Sequence, residues 1–111
     1  MTTPAQLVNN TANTSVDTPE VFYTAPLGGG GTIIKQFTAS NTGSVNASYK
    51  AYIVSSTGSA TNPQVPFQIV VWGENDFGQG VTNHIIPAGG SLRMESSAAN
   101  RIYFTVSGEE L

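Results

Sequence analysis

His84 is the only histidine in the chain, and no cysteine accompanies it. A nucleophile–histidine–acid triad would need His84 beside a hydroxyl and a carboxylate. Ser and Thr are so abundant here that the match has almost no specificity. Alternation with Thr82 in Val81-Thr82-Asn83-His84-Ile85-Ile86 puts it on the polar face of a strand, as a surface histidine. One imidazole without thiolates makes a poor transition-metal site. Glu74, Asn75, Asp76 and Gln79 offer closely spaced oxygens of the kind calcium takes, but the Asp-x-Asp-x-Asp-Gly spacing is absent, so a polar turn is expected. Gly28–Gly31 lacks the Gly-Lys-Ser/Thr of a phosphate loop and precedes a strand rather than a helix N-terminus. Glu109 and Glu110 read as solvated charges. Trp72, Tyr23, Tyr49, Tyr52 and Tyr103 have faces able to stack on sugar rings, yet they are spread over several strands and read first as packing residues. No residue is expected to be catalytic, to bind a cofactor or to hold a metal.

The elements around these residues are β throughout. Val21–Thr24 is a short strand, broken by Pro26 and Gly28–Gly31, whose glycines reach backbone angles closed to other residues. Thr32–Ser40 alternates, with Ile33, Phe37 and Ala39 on one face with Lys35, and Ile34, Gln36 and Thr38 on the other. Residues 46–54 alternate likewise, with Ala47, Tyr49, Ala51 and Ile53 opposite Ser48, Lys50 and Tyr52. Ser55–Pro66 reads as a long loop. The apolar run Phe67–Trp72 reads as a strand buried on both sides. Val81–Ile86, Leu92–Ser96 and Arg101–Val106 complete about seven strands, the last with Ile102, Phe104 and Val106 inward. Short connections favour antiparallel pairing, with hairpins expected for 33–40/46–54 and 92–96/101–106. The fold class is therefore an all-β antiparallel sandwich, jelly-roll-like. Residues 1–18 lack a strand or helix period and are set apart from the domain at 19–111. They read as an extended N-terminal arm, with Leu7, Val8 and Val16 as candidate contacts to a partner.

At 111 residues the chain suits one domain, large enough to close a core without staples. Four bases against seven acids give a net charge of −3. Scattered bases argue against nucleic acid, and no apolar run is long enough to span a membrane. The N-terminus has no basic start and no apolar stretch of a signal peptide. Polarity rests on Thr, Ser, Asn, Gln and Gly, which suits packing against neighbours better than steering a charged ligand.

Residues 22–42 are the most informative segment. Tyr23-Thr24-Ala25-Pro26, the turn Gly28–Gly31, Thr32-Ile33-Ile34 and the strand end Asn41-Thr42 come first. Tyr52–Val54 with the Ser55–Ala60 loop, Pro87-Ala88-Gly89-Gly90, Ser97–Asn100 and Val106–Glu109 follow. This order of features resembles small β-sandwich virion proteins of tailed bacteriophages, over about residues 20–110. Where that pattern carries Val-Pro-x-Gly, this chain has Val54-Ser55-Ser56-Thr57-Gly58. The resemblance implies a capsid decoration (cement) protein that binds and stabilises the assembled head. It further implies a homo-oligomer whose partner is the major capsid protein, made in the host cytoplasm and located in the virion. The same resemblance admits a neck, collar or tail component with neck or tail proteins as partners. A carbohydrate-binding module for host attachment is the alternative from a different class.

Overall fold

The computed structural model describes residues 3–57 and 63–111, with side chains described outside 63–67. Nine strands follow in order: β1 Thr3–Ala12, β2 Glu20–Thr24, β3 Thr32–Asn41, β4 Ala47–Val54, β5 Pro63–Val70, β6 Asn75–Asp76, β7 Ile85–Ile86, β8 Ser91–Ser96 and β9 Ile102–Glu110. They form two antiparallel sheets. One has the order β1-β9-β3, with β6 and β7 both against the far edge of β3. The other has the order β2-β8-β4-β5. The chain is thus the expected antiparallel β-sandwich, with nine strands among the described residues rather than seven because β1 and the short β6 are added, while β7 is the remnant of the expected 81–86 strand.

One core joins the sheets. Phe37 and Phe104 come from the first sheet, and Tyr49 and Phe22 from the second. The Phe104 ring meets the others edge-on or tilted, with centroids 5.3 Å away for Phe22, 5.4 Å for Tyr49 and 5.8 Å for Phe37, while Phe37 and Tyr49 stack at 5.7 Å. These are the separations aromatic pairs prefer. Ile34, Ile86, Leu92, Met94, Ile102 and Val106 close around them. The inward set of β9 is the one its alternation predicts.

Neither expected hairpin forms. β3 and β4 belong to different sheets, as do β8 and β9. Asn41 directs the first crossing. Its Oδ1 accepts from Gly43 N at 2.9 Å, and its amide donates to Val45 O and Val70 O, both at 2.9 Å. The chain is thereby turned out of one sheet and onto the other. Ser97 N donates to Ser48 O at 2.9 Å, and Ser97 Oγ accepts from Ser48 N at 2.9 Å, fixing the second departure. Among the consecutive strands, β4 and β5 form the adjacent pair.

Bulges explain the other differences. In β3 the register against β9 slips between Ile34 and Gln36. The inward set is therefore Thr32 and Ile34 before the slip and Phe37 and Ala39 after it, while Lys35 and Gln36 are both exposed. An extra residue on one strand flips every later side chain to the other face.

β1 runs along β9 with two such slips. Leu7 and Val8, adjacent in sequence, both point inward, and Asn10 takes φ 47°. Residues 3–12 are therefore an edge strand of this chain's own sheet rather than part of a separate arm. Bulges erase the period that would have marked them as a strand.

Two further expectations change. β5 is a sheet edge, so the 67–72 run is not covered on both sides: Val70 is buried, whereas Ile69, Val71 and Trp72 are exposed. Val81–Ile86 is mostly turn, and only Ile85 and Ile86 pair with β3. Of the expected loop 55–66, residues 58–62 lie outside the described residues, and β5 already begins at Pro63.

Candidate functional site

Three tyrosines that sequence offered as a sugar platform are tied to carboxylates instead. Tyr23 on β2 donates to Glu110 Oε2 at 2.6 Å and meets Thr32 Oγ1 at 2.9 Å, both on the facing sheet. With the phenol O–H directed at the carboxylate, the Thr32 hydroxyl is the donor of the second bond. Tyr49 on β4 donates to Asp76 of β6, again across the sandwich, and Asp76 also accepts from Gly78 N at 3.1 Å. Tyr52 donates to Glu95 within its own sheet. Desolvation, the bond to the carboxylate and its charge push Tyr52 up to about 12, and the same causes raise Tyr49. Tyr23 is raised by desolvation and by Glu110. These phenols stay protonated and act as pins. Tyr49 and Tyr52 are buried, and Tyr52 and Tyr103 project from the outer faces of opposite sheets.

The loop between β1 and β2 is gathered by a single carboxylate. Glu20 accepts from Asn13 Nδ2 at 3.0 Å, Thr14 N at 2.8 Å, Ser15 N at 3.1 Å and Thr14 Oγ1 at 2.8 Å. Desolvation pulls its pKa up, but the bonds from Thr14, Asn13 and Ser15 outweigh that and hold it at about 2. Asn13 is buried and also donates to Met94 O at 2.8 Å, linking this corner to β8.

The candidate partner contacts separate in the fold. Leu7 and Val8 are 7% and 4% exposed, inside the core. Val16, in the Glu20 loop, is 52% exposed. Sequence reasoning did not single out two other surfaces. At one end of the sandwich, Asn41 staples the 42–46 and 71–73 loops side by side, and Trp72 N donates to Asn46 Oδ1 at 3.2 Å. These loops expose Val45, Val71 and Trp72. The signal for Trp72 was present, since an apolar run ending in Trp72-Gly73 could have been read as leaving the sheet. The second surface is a groove of about 340 Å³ between β3 and the loop 77–83, lined by Lys35, Gln36, Phe37, Thr38, Phe77, Gln79, Thr82 and Asn83.

No family model, curated protein or solved structure matches the chain.

His84 is exposed. Its carbonyl accepts from Ile34 N at 3.0 Å, so the backbone rather than the imidazole has a structural part here. Of the calcium-type oxygens, Asp76 is engaged by Tyr49 and Gly78, and Asn75 accepts from Ser40 Oγ at 2.7 Å. No cluster of three or more His, Cys, Asp or Glu suited to a metal occurs among the described residues. The glycine run packs against Leu111: Gly30 N donates to Leu111 O at 3.1 Å, and Leu111 N donates to Gly31 O at 2.9 Å. These bonds continue the β3–β9 ladder past its end.

Proposed function

We propose that this protein is a structural component of a phage virion, a capsid decoration protein that binds the assembled head and adds to its stability. The observation that carries this reading is the stapled end of the sandwich. Val45, Val71 and Trp72 stand exposed there on a chain with only four basic and seven acidic residues. Apolar side chains held on rigid loops bury against a neighbour without stranding charges, which is costly where a charge goes unpaired. The sequence resemblance supplies the kind of neighbour, a head lattice. A protein that binds only the assembled lattice stabilises it by mass action, with no reaction needed.

The test is made on virions of the phage that carries this gene. Decoration expects hundreds of copies per particle by quantitative mass spectrometry, and heads lacking the protein that assemble normally but lose DNA at a lower temperature. A dozen copies or fewer would refute decoration and favour a neck or tail position. Heads equally robust without the protein would refute the stabilising role.

A further inference from the structure

We propose that the groove between β3 and the 77–83 loop is a binding site for a neutral saccharide. This inference is independent of the head-decoration reading, since the groove and the Val45–Trp72 end are different surfaces.

The groove is a built feature. β6 pairs with Ala39 and Ser40 at one end of β3, and β7 pairs with Thr32 and Ile33 at the other. Among the described residues no strand covers 35–38 on that side, and the chain between β6 and β7 arches away from it. The arch is pinned at several points. Val81 is fully buried, Val81 N donates to Gly78 O at 3.0 Å, and Asn83 N donates to Ile34 O at 2.6 Å. Gly78, at φ 52°, lies so close to the Phe37 ring that a Cβ there would clash with it. Such a groove exists before any ligand arrives, which spares the ordering cost of binding.

Two irregularities converge on it. The β3 bulge turns Lys35 and Gln36 outward together, where a regular strand would show only one. Asn83 holds a left-handed φ of 68°. Bulges that re-aim side chains, and strained residues kept in place by their surroundings, gather at functional sites.

The lining specifies the ligand class. Phe77 is 59% exposed on the rim, a bare aromatic face. Gln36, Gln79 and Asn83 have side-chain amides that bond to no protein group among the described residues, and each offers both a donor and an acceptor. That pairing of a ring with free amides matches the C–H face and vicinal hydroxyls of a sugar. Lys35 is the one charged residue in the lining, too little for a phosphate-rich ligand. The volume falls within the range of small-molecule sites, roughly 300–1,000 Å³. A second cleft of about 210 Å³ opens on the other flank of Phe77 and Gln79, beside Gln68 and Asp76, giving room for more than one sugar ring.

The experiment screens the intact chain on an array of neutral microbial and plant oligosaccharides, then titrates the best ligand by amide NMR. We expect shifts at Gln36, Phe77, Gln79 and Asn83. Phe77→Ala should weaken binding at least tenfold and Gln79→Ala about fivefold, while Trp72→Ala leaves it unchanged. Phe77 is exposed, so its truncation leaves the core intact, and the unchanged amide spectrum of the variant verifies this. Lys35→Gln should change affinity less than threefold. No retained oligosaccharide on the array overturns the proposal. So does binding insensitive to Phe77→Ala, or affinity that collapses in Lys35→Gln or in high salt, the mark of an anionic ligand.

Discussion

Replacing Glu20 by Gln tests whether one carboxylate organises the β1–β2 corner. Glu20 collects four hydrogen bonds from Asn13, Thr14 and Ser15. Its pKa falls from the ordinary 4.5 to about 2. At about 1.4 kcal/mol per tenfold change, that difference corresponds to roughly 3 kcal/mol. Glu20 is only half-buried, and water competes for its oxygens, so the expected contribution is about 1–1.5 kcal/mol. The sign follows from the lowered pKa. Above pH 4.5 the carboxylate is ionised in both folded and unfolded chains, and its stabilisation is fully present. As pH falls from 4.5 towards 2 the unfolded chain takes up the proton first, and the advantage is lost. Urea unfolding followed by far-UV circular dichroism would be run on wild type and Glu20→Gln at pH 7, 4 and 2.5. At pH 7 the variant's midpoint should be lower by about 0.5–1 M, given slopes of about 1–3 kcal/mol per M. The gap should narrow at pH 4 and nearly close at pH 2.5. Other carboxylates titrate in both proteins and cancel in the difference. A gap that is the same at pH 7 and pH 2.5, or that widens in acid, would refute the argument.

The remaining predictions concern the core and the backbone. Tyr49→Phe removes the donor that ties β4 to Asp76 across the sandwich and should cost about 1.5–3 kcal/mol in urea unfolding, the range for a bond to a charged group. Phe104→Ala empties the centre of the aromatic cluster; a cost of about 3–5 kcal/mol is expected, a large share of the stability of a domain this size, visible as a fall in Tm of well over 10 °C. Gly31→Ala places a Cβ 2.5 Å from Ile86 O at φ 98°, so it should destabilise by more than 1 kcal/mol, whereas Gly28→Ala, with open space around it, should leave Tm within about 2 °C. Leu7→Ala should cost about 2–4 kcal/mol in the isolated chain because Leu7 is a core residue; a change within 0.5 kcal/mol would return it to the role of a free partner contact.

Alternation determined much of this protein from sequence alone. Ile102, Phe104 and Val106, and Ala47, Tyr49 and Ala51, declare an inward face because a pleated strand has period two and water rejects one side of it. The class followed as well, since many short alternating runs with polar turns between them have few ways to bury their faces other than a sandwich. Partner choice was not legible. A five-residue turn after Asn41 can reverse within a sheet or cross to the facing one, and the inward face is satisfied either way. The Asn41 amide, by reaching Val45 O and Val70 O, selects the crossing. β1 was hidden because its bulges break the period by which strands are recognised. The groove was hidden for a related reason. Lys35 and Gln36 share a side only because β3 slips against β9, and Phe77 and Asn83 reach them only because β6 and β7 pair with opposite ends of one strand. Local sequence sets which side of a strand is apolar. Register and strand partners are long-range choices, settled only when the two sheets close on their shared core.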